Sequence, residues 1–124
     1  MTWQPHLTVA VIVEREGTFL LVEEETISSH VDVYNQPAGH VEQGETLIAA
    51  AKREALEETG WDVEPTSLLG FYTYTPEHTP DSTYYRVCFI AKAIHHYERP
   101  VDEGIIGAIW ITLEELEASQ PARS

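Results

Sequence analysis

Basic residues, cysteine and long apolar runs are all scarce in this chain of 124 residues. Lys and Arg together number 7 against 21 Asp and Glu, which gives a formal net charge of −14. Such a balance disfavours DNA and long RNA as natural partners, because their affinity comes largely from Lys and Arg neutralising phosphates. A small phosphorylated molecule stays compatible, since a bound metal ion inverts the local sign of the field. The single cysteine, Cys88, excludes an intramolecular disulfide and fits a reducing compartment. Its apolar neighbours suit a buried thiol better than a nucleophile. No apolar stretch approaches the roughly 18 residues of a membrane span, and MTWQPHLTV lacks the features of a signal peptide. The expectation is one cytoplasmic domain over residues 1–124 with no membrane partner.

What is present reads as short strands around one helix. Residues 6–14 and 18–23 are β-branched and apolar, and Arg15-Glu16-Gly17 between them predicts a hairpin. The first run is almost continuously apolar, as in a strand covered on both faces. Residues 24–33 are polar and read as a loop, followed by a short extended piece at 34–37. A helix is expected from Thr46 to Gly60, with the glycine closing it in the left-handed conformation. Ile48, Ala51 and Ala55 would be its packing side. Further strands are expected over 67–74, 84–94 and 108–111, with a proline-containing loop at 75–82. Thr112-Leu113-Glu114-Glu115 has capping-box spacing and starts a last helix. Hairpins combined with a helix indicate an α/β or α+β domain with a mixed sheet.

The chemistry concentrates in residues 39–61, GHVEQGETLIAAAKREALEETGW. On a helix, Glu54, Glu57 and Glu58 fall within about 100° of arc. Like charges at i and i+4 oppose helix formation, so Glu54 and Glu58 call for a cation between them. A hard divalent ion such as Mg²⁺ suits carboxylate oxygens and shares its shell readily with substrate phosphates. The alternative is a solvated acidic face. Seven fixed positions (Gly39, Glu45, Arg53, Glu54, Glu57, Glu58 and Gly60) make chance matching far rarer than for a short motif.

These seven positions resemble the Nudix box, the signature of hydrolases that cleave nucleoside diphosphates linked to other groups. Ala55 and Trp61 stand where that pattern has apolar residues, and Ala55 is smaller than usual. PHLTVAVIVEREGTFLLVEEE, YNQPAGHVE and WITLEEL are similar to the NudJ-type phosphatases within that family. The resemblance implies the Nudix α/β/α sandwich with a mixed sheet. It also implies a further C-terminal helix that this sequence, ending at Ser124, lacks. By the same resemblance Glu57 and Glu58 are the primary metal ligands, and Gly39 adds its carbonyl. Glu54 is a third ligand or the general base. Arg53 pairs with a box glutamate and orients it, and Glu45 is a structural partner. Mg²⁺ is the implied cofactor, with Mn²⁺ as a substitute.

Substrate contacts are sparser. Tyr34 could stack on a ring, or pack at a strand end. Asn35 and Gln36 could read a ring's edge. Arg86 could bind phosphate, or pair with a carboxylate. Asp102 and Glu103 are candidates for an extra ligand or base. His40 could contact phosphate or bond locally, and His95 and His96 read as surface.

The expected activity is Mg²⁺-dependent hydrolysis of a phosphoanhydride in a small organic diphosphate or nucleotide. Thiamine pyrophosphate, hydroxymethylpyrimidine pyrophosphate and nucleoside di- or triphosphates are the candidates, each releasing a monophosphate. ADP-ribose or diadenosine polyphosphate hydrolysis, isomerisation and cap removal are the other enzymatic readings. A non-catalytic sensing domain is the reading from another class, although every box glutamate is retained. Monomer and homodimer both remain open.

Overall fold

The computed structural model describes residues 2–25 and 32–119. In chain order its elements are β1 (Gln4–Arg15), β2 (Thr18–Glu25), β3 (Asp32–Asn35), β4 (Ala38–His40), α1 (Leu47–Thr59), β5 (Trp61–Tyr74), β6 (Ser82–His96), β7 (Ile105–Thr112) and α2 (Leu113–Ser119). The sheet runs β3-β2-β1-β6-β5, with β4 also on β1 and β7 also on β2. It is mixed, because β1 lies parallel to β6 and antiparallel to β2 and β4.

The apolar run of β1 explains its central place. Val9, Ala10, Val11 and Val13 are buried, and the strand pairs with β6 from Gln4↔Ser82 to Val13↔Ala91. The hairpin to β2 turns at Glu16 and Gly17, both with positive φ, as a two-residue turn matching strand twist requires. Its ladder is short, with pairs at Glu14↔Phe19 and Arg15↔Thr18. Beyond them β1 continues into β4 and β6, while β2 turns to β3 and β7.

Helix α1 packs on this sheet through Ala50, Ala51 and Ala55, which join Val9, Val11, Val13, Val63 and Val87 in the core. Small side chains let a helix approach a sheet closely. Thr46 caps its start by accepting from the Ala49 amide at 3.0 Å. Gly60 ends it with φ 77°, its N–H donating to the Leu56 carbonyl at 2.9 Å. At the other cap, the Thr112 hydroxyl and Glu115 carboxylate each accept from the other residue's amide at 3.0 Å. Cys88 is buried on β6, and burial pushes its thiol up.

Several expectations need correction. Ile48 is 51% exposed, so the packing stripe is Ala50, Ala51, Ala55 and Thr59. Ile48 instead borders an apolar hollow with Leu68, Phe71 and Phe89. Glu24 and Glu25 finish β2 and Asp32 and Val33 open β3, so the 24–33 loop is shorter than expected. Residues 38–40 are a strand, because a sheet position opposite Thr8–Ala10 satisfies their backbone. β5 starts at Trp61, despite Pro65, because that residue sits at a register shift on an edge strand. β6 and β7 are also longer than expected. The expectation about a missing C-terminal helix concerns the chain after Ser119, outside the described residues. No described helix is long and apolar enough to cross a membrane.

Gly60→Ala would place a Cβ 2.8 Å from the Tyr97 carbonyl oxygen in a left-handed conformation. We expect it to lower unfolding free energy by about 2 kcal/mol, read by urea denaturation. Gly17→Ala, with open space around its Cβ, should cost about half as much.

Candidate active site

The close packing of α1 brings its last two turns against β4. A Cβ at Gly39 would overlap the carboxylate of Glu54, so glycine is what lets the strand pass there. One residue earlier, the Ala38 amide donates to Glu58 Oε1 at 2.9 Å. Because β4 is held on β1 at Thr8↔His40, Val9↔Gly39 and Ala10↔Ala38, this corner is fixed by the core strand.

Arg53 organises the rest. Its Nε donates to Glu45 Oε2 at 2.6 Å and its Nη2 to Glu45 Oε1 at 3.1 Å, a two-point fork. Nη1 reaches Glu54 Oε1 at 2.7 Å and Glu57 Oε2 at 3.3 Å, and Nη2 also donates to the His40 carbonyl at 2.9 Å. Glu42 adds an ion pair at 3.4 Å. The hydrogen bonds from Arg53 hold the Glu45 carboxyl below its usual range, helped by the Glu42 amide. The same carboxylates keep Arg53 charged well beyond neutral pH.

Glu54 and Glu58 behave oppositely. Burial raises Glu54 despite Arg53, and Glu57 and Asp102 raise it further. Burial pushes Glu58 up to about 7, against the Ala38 hydrogen bond and with help from the charges of Glu54, Glu24 and Asp102. Hard oxygen donors under this electrostatic pressure, beside a backbone approached without a side chain, fit a divalent cation. Glu57 carries less of that reading, since its carboxylate is turned to Arg53. Among the described residues no three His, Cys, Asp or Glu side chains converge on one point. Asp102 is drawn in by its amide, which donates to the Glu57 carbonyl at 3.2 Å. Glu103 is exposed, and the structure does not bring it to the cluster.

A cavity of about 560 Å³ opens beside Glu58. Tyr34 and Gln36, from one stretch of chain, and Arg86, from another, all line it. Arg86 Nε also contacts Thr8 Oγ1 at 3.4 Å, and the Tyr34 hydroxyl reaches Glu23 at 3.5 Å. Sequence reasoning missed Glu24 and Tyr74, which line the same cavity. Glu24 lies two residues after Val22 on β2, and period-2 alternation places both on one side. Tyr74 stacks on Tyr84 with centroids 5.1 Å apart, and Tyr84 on His6 at 4.5 Å. His40 is exposed near this row, 5.6 Å from His6. His95 and His96 are both exposed, as expected, and His96 also tilts against Trp61 at 5.0 Å.

In the metal-free protein the sign of the Glu58 effect is defined. Its folded value of about 7 exceeds the ordinary 4.5, so the folded state binds the proton more tightly. That stabilisation is complete below pH 4.5 and is lost as pH rises through 7. We expect the thermal midpoint in chelator to fall over that window, and Glu58→Gln to flatten the fall. An equally steep fall in the variant contradicts the assignment.

The Nudix-domain family profile matches residues 4–124. Phosphatase NudJ of Escherichia coli K12 is 37% identical over 124 residues, covering 98% of this chain and 78% of that protein. The structure of a Nudix hydrolase from Nitrosomonas europaea superposes with a TM-score of 0.84 at 38% identity, covering 94% and 78% of the two chains. An ADP-ribose pyrophosphatase from Streptococcus suis shares the fold at 19% identity and a TM-score of 0.67, covering 90% and 76%.

Proposed function

This chain belongs to the Nudix hydrolase family, and from that premise we propose that it is a Mg²⁺-dependent phosphohydrolase of small organic diphosphates or nucleotides. Enzymes of this family act on small phosphorylated substrates and generally use divalent metals. One observation carries the finer reading: Glu58 belongs both to the carboxylate corner at Gly39 and to the wall of the 560 Å³ cavity. A pyrophosphate at that corner therefore leaves its organic group in the cavity. The size fits a single heterocycle with its linker, within the usual range of small-molecule sites.

Glu57 and Glu58 would hold the cation with the Gly39 carbonyl, and Glu54 would serve either as a third carboxylate ligand or as the general base. A bound Mg²⁺ supplies Lewis acidity at the phosphoryl oxygens and lowers the pKa of water. The chain's own residues do the rest. Arg53 holds Glu54 and Glu57 in place and spreads their charge. Glu54, raised by burial, is suited to take the proton of the attacking water. Arg86 offers a cation to phosphate, and Tyr34 and Tyr74 offer ring faces to the organic group. Asp102 adds negative charge at the metal edge. The family match over residues 4–124 supports one catalytic domain.

The similarity to Phosphatase NudJ favours thiamine-related or nucleoside di- and triphosphates, with release of a monophosphate. A panel of thiamine pyrophosphate, hydroxymethylpyrimidine pyrophosphate, nucleoside di- and triphosphates, ADP-ribose and diadenosine polyphosphates tests this under saturating Mg²⁺. Turnover of the first groups is expected, and activity should vanish in chelator. Glu57→Gln should lower kcat at least about a hundredfold, the scale for loss of a metal-orienting group. Unaltered turnover in that variant contradicts the ligand assignment, and inactivity on the whole panel supports a sensing domain.

A further inference from the structure

Glu24 and Asn35 form a hydrogen-bonded pair in the cavity wall that neither catalysis nor metal binding uses. Asn35 Nδ2 donates to Glu24 Oε2 at 2.7 Å. Both residues line the cavity, as Glu58 does. A carboxylate accepts only, so it fixes the Asn35 amide with its NH₂ toward Glu24. Asn35 Oδ1 and Glu24 Oε1 are then left as acceptors. Two acceptor oxygens on one stretch of wall complement a group that carries two hydrogens on one atom.

We propose that the Glu24–Asn35 pair is a specificity site that reads an exocyclic amine on the heterocycle of the substrate. This rests on the reading of the cavity as the seat of the organic group. An amine donates two hydrogens to the pair, and the negative charge of Glu24 strengthens the bond. A carbonyl at the same ring position brings lone pairs against a carboxylate. Discrimination then works in both directions, by attraction and by repulsion. Arg86, also in the wall, meets phosphate charge rather than the ring. The ligand chemistry is an amino-substituted nitrogen heterocycle, whether pyrimidine or purine.

The test uses ligand pairs in which the amine is replaced by a carbonyl: CDP against UDP and ADP against IDP. Hydrolysis is measured under saturating Mg²⁺ with the unaltered chain, Glu24→Leu and Asn35→Ala. The amine-bearing member of a pair should be favoured in kcat/KM, chiefly through KM. Each substitution should lower that preference about tenfold, the scale of one lost hydrogen bond to a charged group. Calorimetric binding of CMP and UMP provides a readout that does not need turnover. Failure to hydrolyse any of the four diphosphates would count against the nucleoside diphosphate part of the proposed function, while a CMP preference lost in the variants would still support the amine site. Equal treatment of amine and carbonyl ligands, binding of neither monophosphate, or an unaltered preference in folded variants overturns the proposal. Should Glu24→Leu fail to fold, the exposed Asn35→Ala decides.

Discussion

Four carboxylates converge on the single guanidinium of Arg53, and the architecture of the site follows from that crowding. Glu42, Glu45, Glu54 and Glu57 all lie within ion-pair distance of it. Arg53 is only partly exposed, so these contacts act in a medium less screening than bulk water. Glu45 is the well-satisfied partner, in a two-point fork and with an amide of its own. Glu54 and Glu58 are not, and burial drives their carboxyls up. One guanidinium therefore cannot neutralise the corner, and the proposed divalent ion would complete it. The helix tolerates the cluster because its apolar side is anchored independently, by alanines pressed on the central strand.

Much of this was legible in the sequence, for identifiable reasons. Thr46 and Gly60 bound α1 as expected, since capping depends on local chemistry alone. The Thr112 and Glu115 cap was equally local, as was the hairpin at Glu16-Gly17. Non-local pairing was not legible. Ala38–His40 has no strand pattern of its own and becomes one through β1. The parallel pairing of β1 with β6 joins residues far apart in sequence. Ile48 fits a packing stripe by periodicity, yet the helix turns Ala50, Ala51 and Ala55 to the sheet and leaves Ile48 half in solvent.

The candidate site divides along the same line. Residues of the box share one helix and one loop, so spacing alone could group them. Tyr34 and Gln36 meet Arg86 only because the order β3-β2-β1-β6 carries sequence-distant strands into one sheet. Glu24 escaped notice among three consecutive glutamates, where alternation along β2 singles it out only once the strand is known. The corner that carries the family motif and the wall of the cavity thus meet at Glu58. The motif is written locally, and the cavity wall is assembled by tertiary structure.

The central claim is that a divalent ion sits where α1 meets β4, against the cavity. Mn²⁺ titrated into the ¹⁵N-labelled chain tests it most directly, because the paramagnetic ion broadens nearby amide resonances. The account predicts that Ala38, Gly39 and residues 54–58 broaden first at substoichiometric Mn²⁺, followed by cavity residues such as Gln36. Broadening scattered over the acidic surface, or centred on the glutamates of α2, would contradict it.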